Sequence, residues 1–440
     1  MPWSDWRRKL QGLPVTTELL LISLLFLFLI HAPIAVAIGA SAMLAIVVQG
    51  EFPLMMMAQR MFGGVDSFHL MAVPLFMFTG VVMEAGGISR RIIDLANALV
   101  GWLPGGLAAV AVVSAMFFAG ISGSAAADTA AVGAILIPAM KRAGYRSDFS
   151  AAVQASGGSV GVIIPPSIPM IIYGYLTGAS ISRLFAAGIV PGLLVGGSLI
   201  AVASALSRKS GYAATQPFLM REVLRTFRRA LLALGAPVII LGGILGGIFT
   251  ATESAAVAVV YALAVGMVVY RTIGLRDLPQ LFAEGAVTSA VVMFIIASAS
   301  IFSWVAAIES LPERVAGTLL AMTENPVLLL LLINAVLLAA GTFVETSAAL
   351  ILLVPVIAAV VPALGVDPIH LGVIIVTNLA IGMLTPPMGI CLIVSGAISG
   401  DRIVDVSRSV LPFLAVLLVD LLLITFFPSL SLWLSRLVSG

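Results

Sequence analysis

Two acids in this 440-residue sequence stand in long apolar surroundings, and each is followed by threonine: Asp128-Thr129 and Glu345-Thr346. A carboxylate is costly to hold in hydrocarbon, so each needs a partner or a task. Small and hydroxyl residues precede both, Gly120, Ser122, Gly123 and Ser124 before the first and Gly341 and Thr342 before the second. Two proline pairs follow, Pro165-Pro166 and Pro386-Pro387. Gln154, Ser156, Gly157, Gly158, Ser159 and Ser167 flank the first pair, and Asn378, Thr385 and Gly389 lie about the second. Paired prolines remove two backbone donors from a helix and free carbonyls of the preceding turn. Carboxylate, hydroxyl and freed carbonyl oxygens are hard ligands for a small hard cation such as sodium. Half-helix N-termini carry positive dipole ends that favour an anion. No lysine or arginine falls within these tips or breaks. An anion held there must therefore be neutralised by bound cations and helix ends. The plainer alternative is that Asp128 and Glu345 cap helices and that the prolines only kink them.

The elements that position these groups belong to a membrane protein. Apolar residues make up 61% of the chain and charged residues 10%, with a mean hydropathy of +1.19. A chain with so little to offer water takes the bilayer as its main solvent. The net charge of +2 points to no nucleic-acid partner, and the single cysteine, Cys391, allows neither an internal disulfide nor a cysteine metal cluster. The first apolar stretch runs into a second without a cleavage site, so it is expected to be a retained helix rather than a signal peptide.

Runs near the 20 apolar residues that span hydrocarbon predict ten spans: 17–30, 33–49, 68–86, 148–178, 184–207, 230–248, 252–270, 285–307, 367–399 and 411–435. The spans at 148–178 and 367–399 are broken helices, interrupted by the proline pairs. Residues 104–142 and 326–361 each predict two apolar helices around a polar tip, as re-entrant hairpins or as paired full spans. The chain repeats itself: a proline stands ten positions after each acid, at Pro138 and Pro355, and the halves are offset by 217 to 221 positions. The expected organisation is an N-terminal segment (1–16), a first repeat (17–210), an amphipathic cytoplasmic connector (211–229) and a second repeat (230–440). Five spans per half invert the second copy, a signature of secondary transport. Basic residues divide 15 to 7 between the two faces. The positive-inside rule makes the richer face cytoplasmic and places both termini outside, against the local pull of Arg7, Arg8 and Lys9.

Other polar residues have plainer readings. Glu253 belongs to a structural turn, Asp420 contacts a partner or scaffold helix, and His31 and His370 lie at the membrane interface. Gly120-Ile121-Ser122-Gly123 matches a pattern of intramembrane serine proteases, but such a nucleophile needs a nearby base, and the only downstream histidine is His370. Matched broken helices also favour alternating access over an open channel.

Gly120–Asp128, the stretch Ser156–Pro169 (SGGSVGVIIPPSIP), Thr385-Pro386-Pro387 and the turn Gly247–Ala256 resemble the large membrane subunit of tripartite ATP-independent periplasmic (TRAP) transporters. The likeness runs from about Leu19 to near the end of the chain, with Ala251 where the family commonly has proline. The resemblance implies an all-α, polytopic, elevator-type transporter of the bacterial inner membrane, with a scaffold domain and a moving transport domain. It implies sodium as the coupling ion with no other cofactor, a soluble periplasmic substrate-binding protein, and a small four-helix membrane subunit. Organic acids such as C4-dicarboxylates, sialic acid, other sugar acids or keto acids are the implied substrates. Sodium and substrate sites are then expected at the two hairpin tips and breaks, from Gly120, Ser122, Gly123, Ser124, Asp128, Thr129, Ser156, Gly157, Pro165, Pro166, Gly341, Thr342, Glu345, Thr346, Asn378, Thr385 and Pro386. A stand-alone sodium-coupled carboxylate carrier is the alternative that shares this interior.

Overall fold

A backbone in hydrocarbon must satisfy its own hydrogen bonds, which leaves helices as the economical solution for such a sequence. A computed structural model describes residues 15–30, 32–323, 325–361 and 365–438, and the described residues form twenty α-helices and no strand. Residues 1–14 and His31 lie outside the described residues. The first ten helices are α1 (Val15–Leu29), α2 (Ile34–Gln49), α3 (Met55–Val65), α4 (Ala72–Ala85), α5 (Ile88–Val100), α6 (Gly106–Ser122), α7 (Ala125–Arg142), α8 (Ser147–Ser159), α9 (Ile168–Thr177) and α10 (Ile181–Lys209). The second ten are α11 (Met220–Leu245), α12 (Ala251–Ala264), α13 (Leu278–Ile308), α14 (Leu311–Met322), α15 (Pro326–Phe343), α16 (Thr346–Ala358), α17 (Pro368–Gly382), α18 (Ile390–Ser399), α19 (Ile403–Phe426) and α20 (Ser429–Val438).

Six helices among the described residues are long and apolar enough to cross a membrane. The other expected spans are shorter apolar helices, or pairs around a break. α8 passes into a single 3-10 turn (Val160–Val162) before the cis Pro165-Pro166 bond and α9. α17 and α18 flank the cis Pro386-Pro387 bond in the same way.

Three expectations change. The span at 411–435 is two helices, α19 and α20, because Pro428 cannot continue a helix and Phe427 before it takes φ −117° and ψ 81°. The basic stretch of the expected connector is no separate element. α11 carries Arg221, Arg225, Arg228 and Arg229 on the exposed start of one continuous helix. Three short helices, α3, α5 and α14, lie between the expected spans and hairpins, and α5 bends 77° away from α4.

Contacts occur in pairs matched between the halves. α8 packs on α18 as α9 packs on α17, and α7 packs on α18 as α16 packs on α9. α6 lies on α8 as α15 lies on α17, and α10 lies on α17 as α19 lies on α8. These helices form one contact set. α1–α5 and α11–α14 form another, in which α4 packs on α12 and α13. The two sets meet mainly where α4 and α5 touch α6, and where α13 and α14 touch α16.

Candidate functional site

The first hairpin turns under the first break. α6 ends at Ser122, and Gly123 adopts φ +62° to reverse the chain. A Cβ on Gly123 would lie 2.7 Å from the Pro166 carbonyl oxygen and 3.1 Å from the Ile168 nitrogen. Only glycine takes this backbone and this approach without strain. Ser124 is extended at the start of α7 and its side chain does not cap the helix.

Asp128 lies one turn further in and is 0% exposed. Its Oδ1 accepts the Ser122 hydroxyl, while Oδ2 has no partner among the described residues. That free oxygen lies over the bare backbone of the 3-10 turn, where a Cβ on Gly161 would come within 2.1 Å of it. Gln154 Nε2 donates to the Asp128 carbonyl at 3.5 Å. Thr129 and Ser156 turn their hydroxyls back onto their own helices, to the carbonyls of Ala125 and Ala152 at 2.7 Å each. Gly157 packs on Val112 of α6, and Gly120 lies beside Pro237 of α11. Cys391, the only cysteine, is fully buried at the start of α18, a helix packed on α7 and α8.

The second hairpin is built differently. Val344 is extended where Gly123 is left-handed, and Glu345 is the N-cap of α16. Its carboxylate accepts the Ser347 amide at 2.8 Å, the Ala348 amide at 3.3 Å and the Ser347 hydroxyl at 3.0 Å. Ser124 and Glu345 are the two N-caps, 221 positions apart. The structural counterpart of Glu345 is therefore Ser124, and that of Asp128 is Ala349. The expected equivalence of the two acids fails by one helical turn, because their motif recurs at 217 positions while the tips recur at 221.

Of the other residues expected at this tip, Gly341 packs on Leu379 and Gly382 of α17. Thr342 donates to the Leu338 carbonyl at 2.9 Å, Thr346 to the Met383 sulfur at 3.2 Å and Thr385 to the Ile381 carbonyl at 2.9 Å. Asn378 joins a buried network rather than the tip. Its Nδ2 donates to the carbonyl and the Oδ1 of Asn334, both at 2.9 Å. Asn334 Nδ2 donates to Thr425 Oγ1 at 3.1 Å. His370 Nε2 lies 3.2 Å from the Thr425 carbonyl oxygen. His370 is only 2% exposed, so its expected place at the interface is replaced by one in the core. Asp420 bonds Ser198 of α10, a contact within this chain. Glu253 completes a capping box with Thr250. Ser122 has Asp128 as its partner and His370 has Thr425, so the protease pattern acquires no histidine base.

Two cavities show what the tips do together. One of about 150 Å³ lies between them, lined by Ser124, Ala125, Ile168, Glu345, Ser347 and Ile390 among others. These residues mark the starts of α7, α9, α16 and α18, so four positive helix ends converge on one space. Met77 of α4 and Ile295 of α13 close it from the other contact set, and no lysine or arginine among the described residues lines it. Beside it a cavity of about 90 Å³ is lined by Ser122, Ser124 and Asp128, with Glu84 and Thr288 opposite. An unpaired carboxylate oxygen beside two serines fits a small hard cation. Sequence reasoning missed Glu84, Thr288, Ser347 and Asn334. Asn334 did leave a signal, as a lone amide in an apolar run.

Residues 21–430 match the family described as tripartite ATP-independent periplasmic transporter, DctM component. The chain is 43% identical over 412 residues to the isethionate TRAP transporter permease protein DctMQ of Oleidesulfovibrio alaskensis, an alignment covering 92% of this chain and 64% of that one. It is 41% identical to the sialic acid TRAP transporter large permease protein SiaM of Vibrio cholerae, over 87% of this chain and 90% of the relative. It is 42% identical to the C4-dicarboxylate TRAP transporter large permease protein DctM of Pseudomonas aeruginosa, over 90% and 93%. Among solved structures, the fold is similar to that of the YdaH transporter of Alcanivorax borkumensis, with a TM-score of 0.58, 17% identity and coverage of 88% and 89%.

Proposed function

Because the chain belongs to the DctM component family of tripartite ATP-independent periplasmic transporters, we propose that it is the substrate-translocating subunit of a sodium-driven importer of organic acids. It is a multi-pass membrane protein, and its place is the bacterial inner membrane with both termini periplasmic. One observation carries the reading. Four helix starts converge on a cavity lined by no basic side chain among the described residues, next to the carboxylate of Asp128 with its one unpaired oxygen. The helix ends hold the anionic head of the substrate. Sodium beside Asp128, with the hydroxyls of Ser122 and Ser124, balances that acid and couples uptake to the sodium gradient. The relatives are named for isethionate, sialic acid and C4-dicarboxylate, and all of these are organic anions.

The helices that carry the hairpins and breaks move as one unit against α1–α5 and α11–α14, and the repeats 17–210 and 230–440 are related by inversion. A periplasmic binding protein delivers the substrate, and a small four-helix subunit completes the membrane part. The test is uptake of labelled organic acids into proteoliposomes under an inward sodium gradient, omitting each component in turn. Uptake that needs sodium and all three proteins supports the proposal. Sodium-driven uptake by this chain alone reduces it to a stand-alone carrier. Uptake indifferent to sodium overturns the coupling.

A further inference from the structure

We propose that the cavity between the hairpin tips takes a small acid with a single anionic head, and discriminates against dicarboxylates and against acids the size of a sialic acid. The inference rests on the transport reading above and sharpens it to a substrate class.

Size is the first argument. The cavity holds about 150 Å³. An apolar cavity of that volume takes a ligand of about six non-hydrogen atoms, such as benzene. Binding sites for larger metabolites run to several hundred cubic ångströms.

Charge is the second. Each helix start contributes about half a positive charge, so the four together supply about two. Glu345 lines the same space and subtracts one. Its carboxylate is pinned by the Ser347 and Ala348 amides and the Ser347 hydroxyl, so it does not swing away when a substrate arrives. About one positive charge remains, which matches one anionic head. A sodium ion beside Asp128 is already balanced by that acid. It does not serve a second substrate charge.

The far wall is the third. Met77, Val291, Val292 and Ile295 face the tips across the cavity, and none has a donor for a second carboxylate. Placing a charge against them removes its water without a replacement. The class that fits is a C2 to C4 acid with one carboxylate or sulfonate and a neutral remainder.

The periplasmic protein selects upstream, so the test leaves it out. The full-length permease, purified with its small subunit, is titrated with labelled pyruvate in sodium chloride and in choline chloride. Unlabelled pyruvate, isethionate, succinate and N-acetylneuraminate then compete. The expected result is sodium-dependent pyruvate binding, with isethionate competing comparably and succinate and N-acetylneuraminate weaker by about tenfold or more. Two variants separate the arguments. Ile295→Ala widens the far wall and improves competition by the longer 2-oxohexanoate. Glu345→Gln removes the opposing charge and improves competition by succinate. Succinate binding as tightly as pyruvate to the wild type, with sodium dependence intact, overturns the single-charge assignment alone. Pyruvate and the competitors binding equally in choline and sodium, or not at all, overturns the transport reading and this inference with it.

Discussion

The two hairpin tips occupy matched places in the fold and solve different problems. At the first, glycine turns the chain beneath a proline break, the N-cap serine leaves the helix start open, and a buried acid one turn deeper keeps one oxygen free. At the second, an extended valine makes the turn and the acid itself closes the helix start with three hydrogen bonds. A satisfied acid stabilises its helix. An unsatisfied buried acid costs free energy that only a bound cation or a proton offsets. On the proposed reading, the ion belongs chiefly to the first tip, and the second shares in shaping and polarising the substrate cavity.

Substitution at Asp128 tests that assignment most severely. Asp128→Asn is expected to lower sodium-driven uptake by about two orders of magnitude, the scale of losing a buried charge from its partner. Initial uptake rates across a sodium titration measure it, and an unchanged sodium curve would move the ion elsewhere. Next comes the turn. Gly123→Ala meets both the left-handed backbone and the Pro166 carbonyl. It should lower thermal stability by about 1–2 kcal/mol from the backbone alone, more with the clash. Val344→Ala at the matched position should stay within about 0.5 kcal/mol. Equal melting shifts for the pair would erase the contrast between the turns.

Asn378→Ala leaves the Asn334 carbonyl and amide oxygen without their buried donor. It should destabilise by about 1–3 kcal/mol, read in the same melts. The cap comes last. Glu345→Ala should cost about 0.5–2 kcal/mol of stability while the sodium concentration for half-maximal uptake stays put. A shift in that concentration would make Glu345 a direct ligand of a sodium ion.

The helical class and both breaks were legible in the sequence because hydropathy and proline act locally. Pro165-Pro166 and Pro386-Pro387 interrupt a helix wherever they fall. The mismatch of the acids was hidden by helix geometry. A shift of four residues is close to one turn, so it keeps a side chain on the same face while displacing it by about 6 Å along the axis. Asp128 and Glu345 thus look equivalent in spacing although only one is a cap. The polar chain from His370 through Thr425 and Asn334 to Asn378 was illegible for another reason. It exists only where α15, α17 and α19 meet, and no short window of sequence carries that meeting. α3, α5 and α14 escaped notice because a search tuned to long apolar runs passes over short amphipathic pieces.

Cys391 makes the wild-type protein its own reporter. It is the only thiol in the chain and has no exposed surface at the foot of α18. A maleimide can reach it only when α18 parts from α7 and α8, so the alkylation rate counts those openings without any engineered label. Comparing that rate with and without sodium would time the loosening of the unit at its centre.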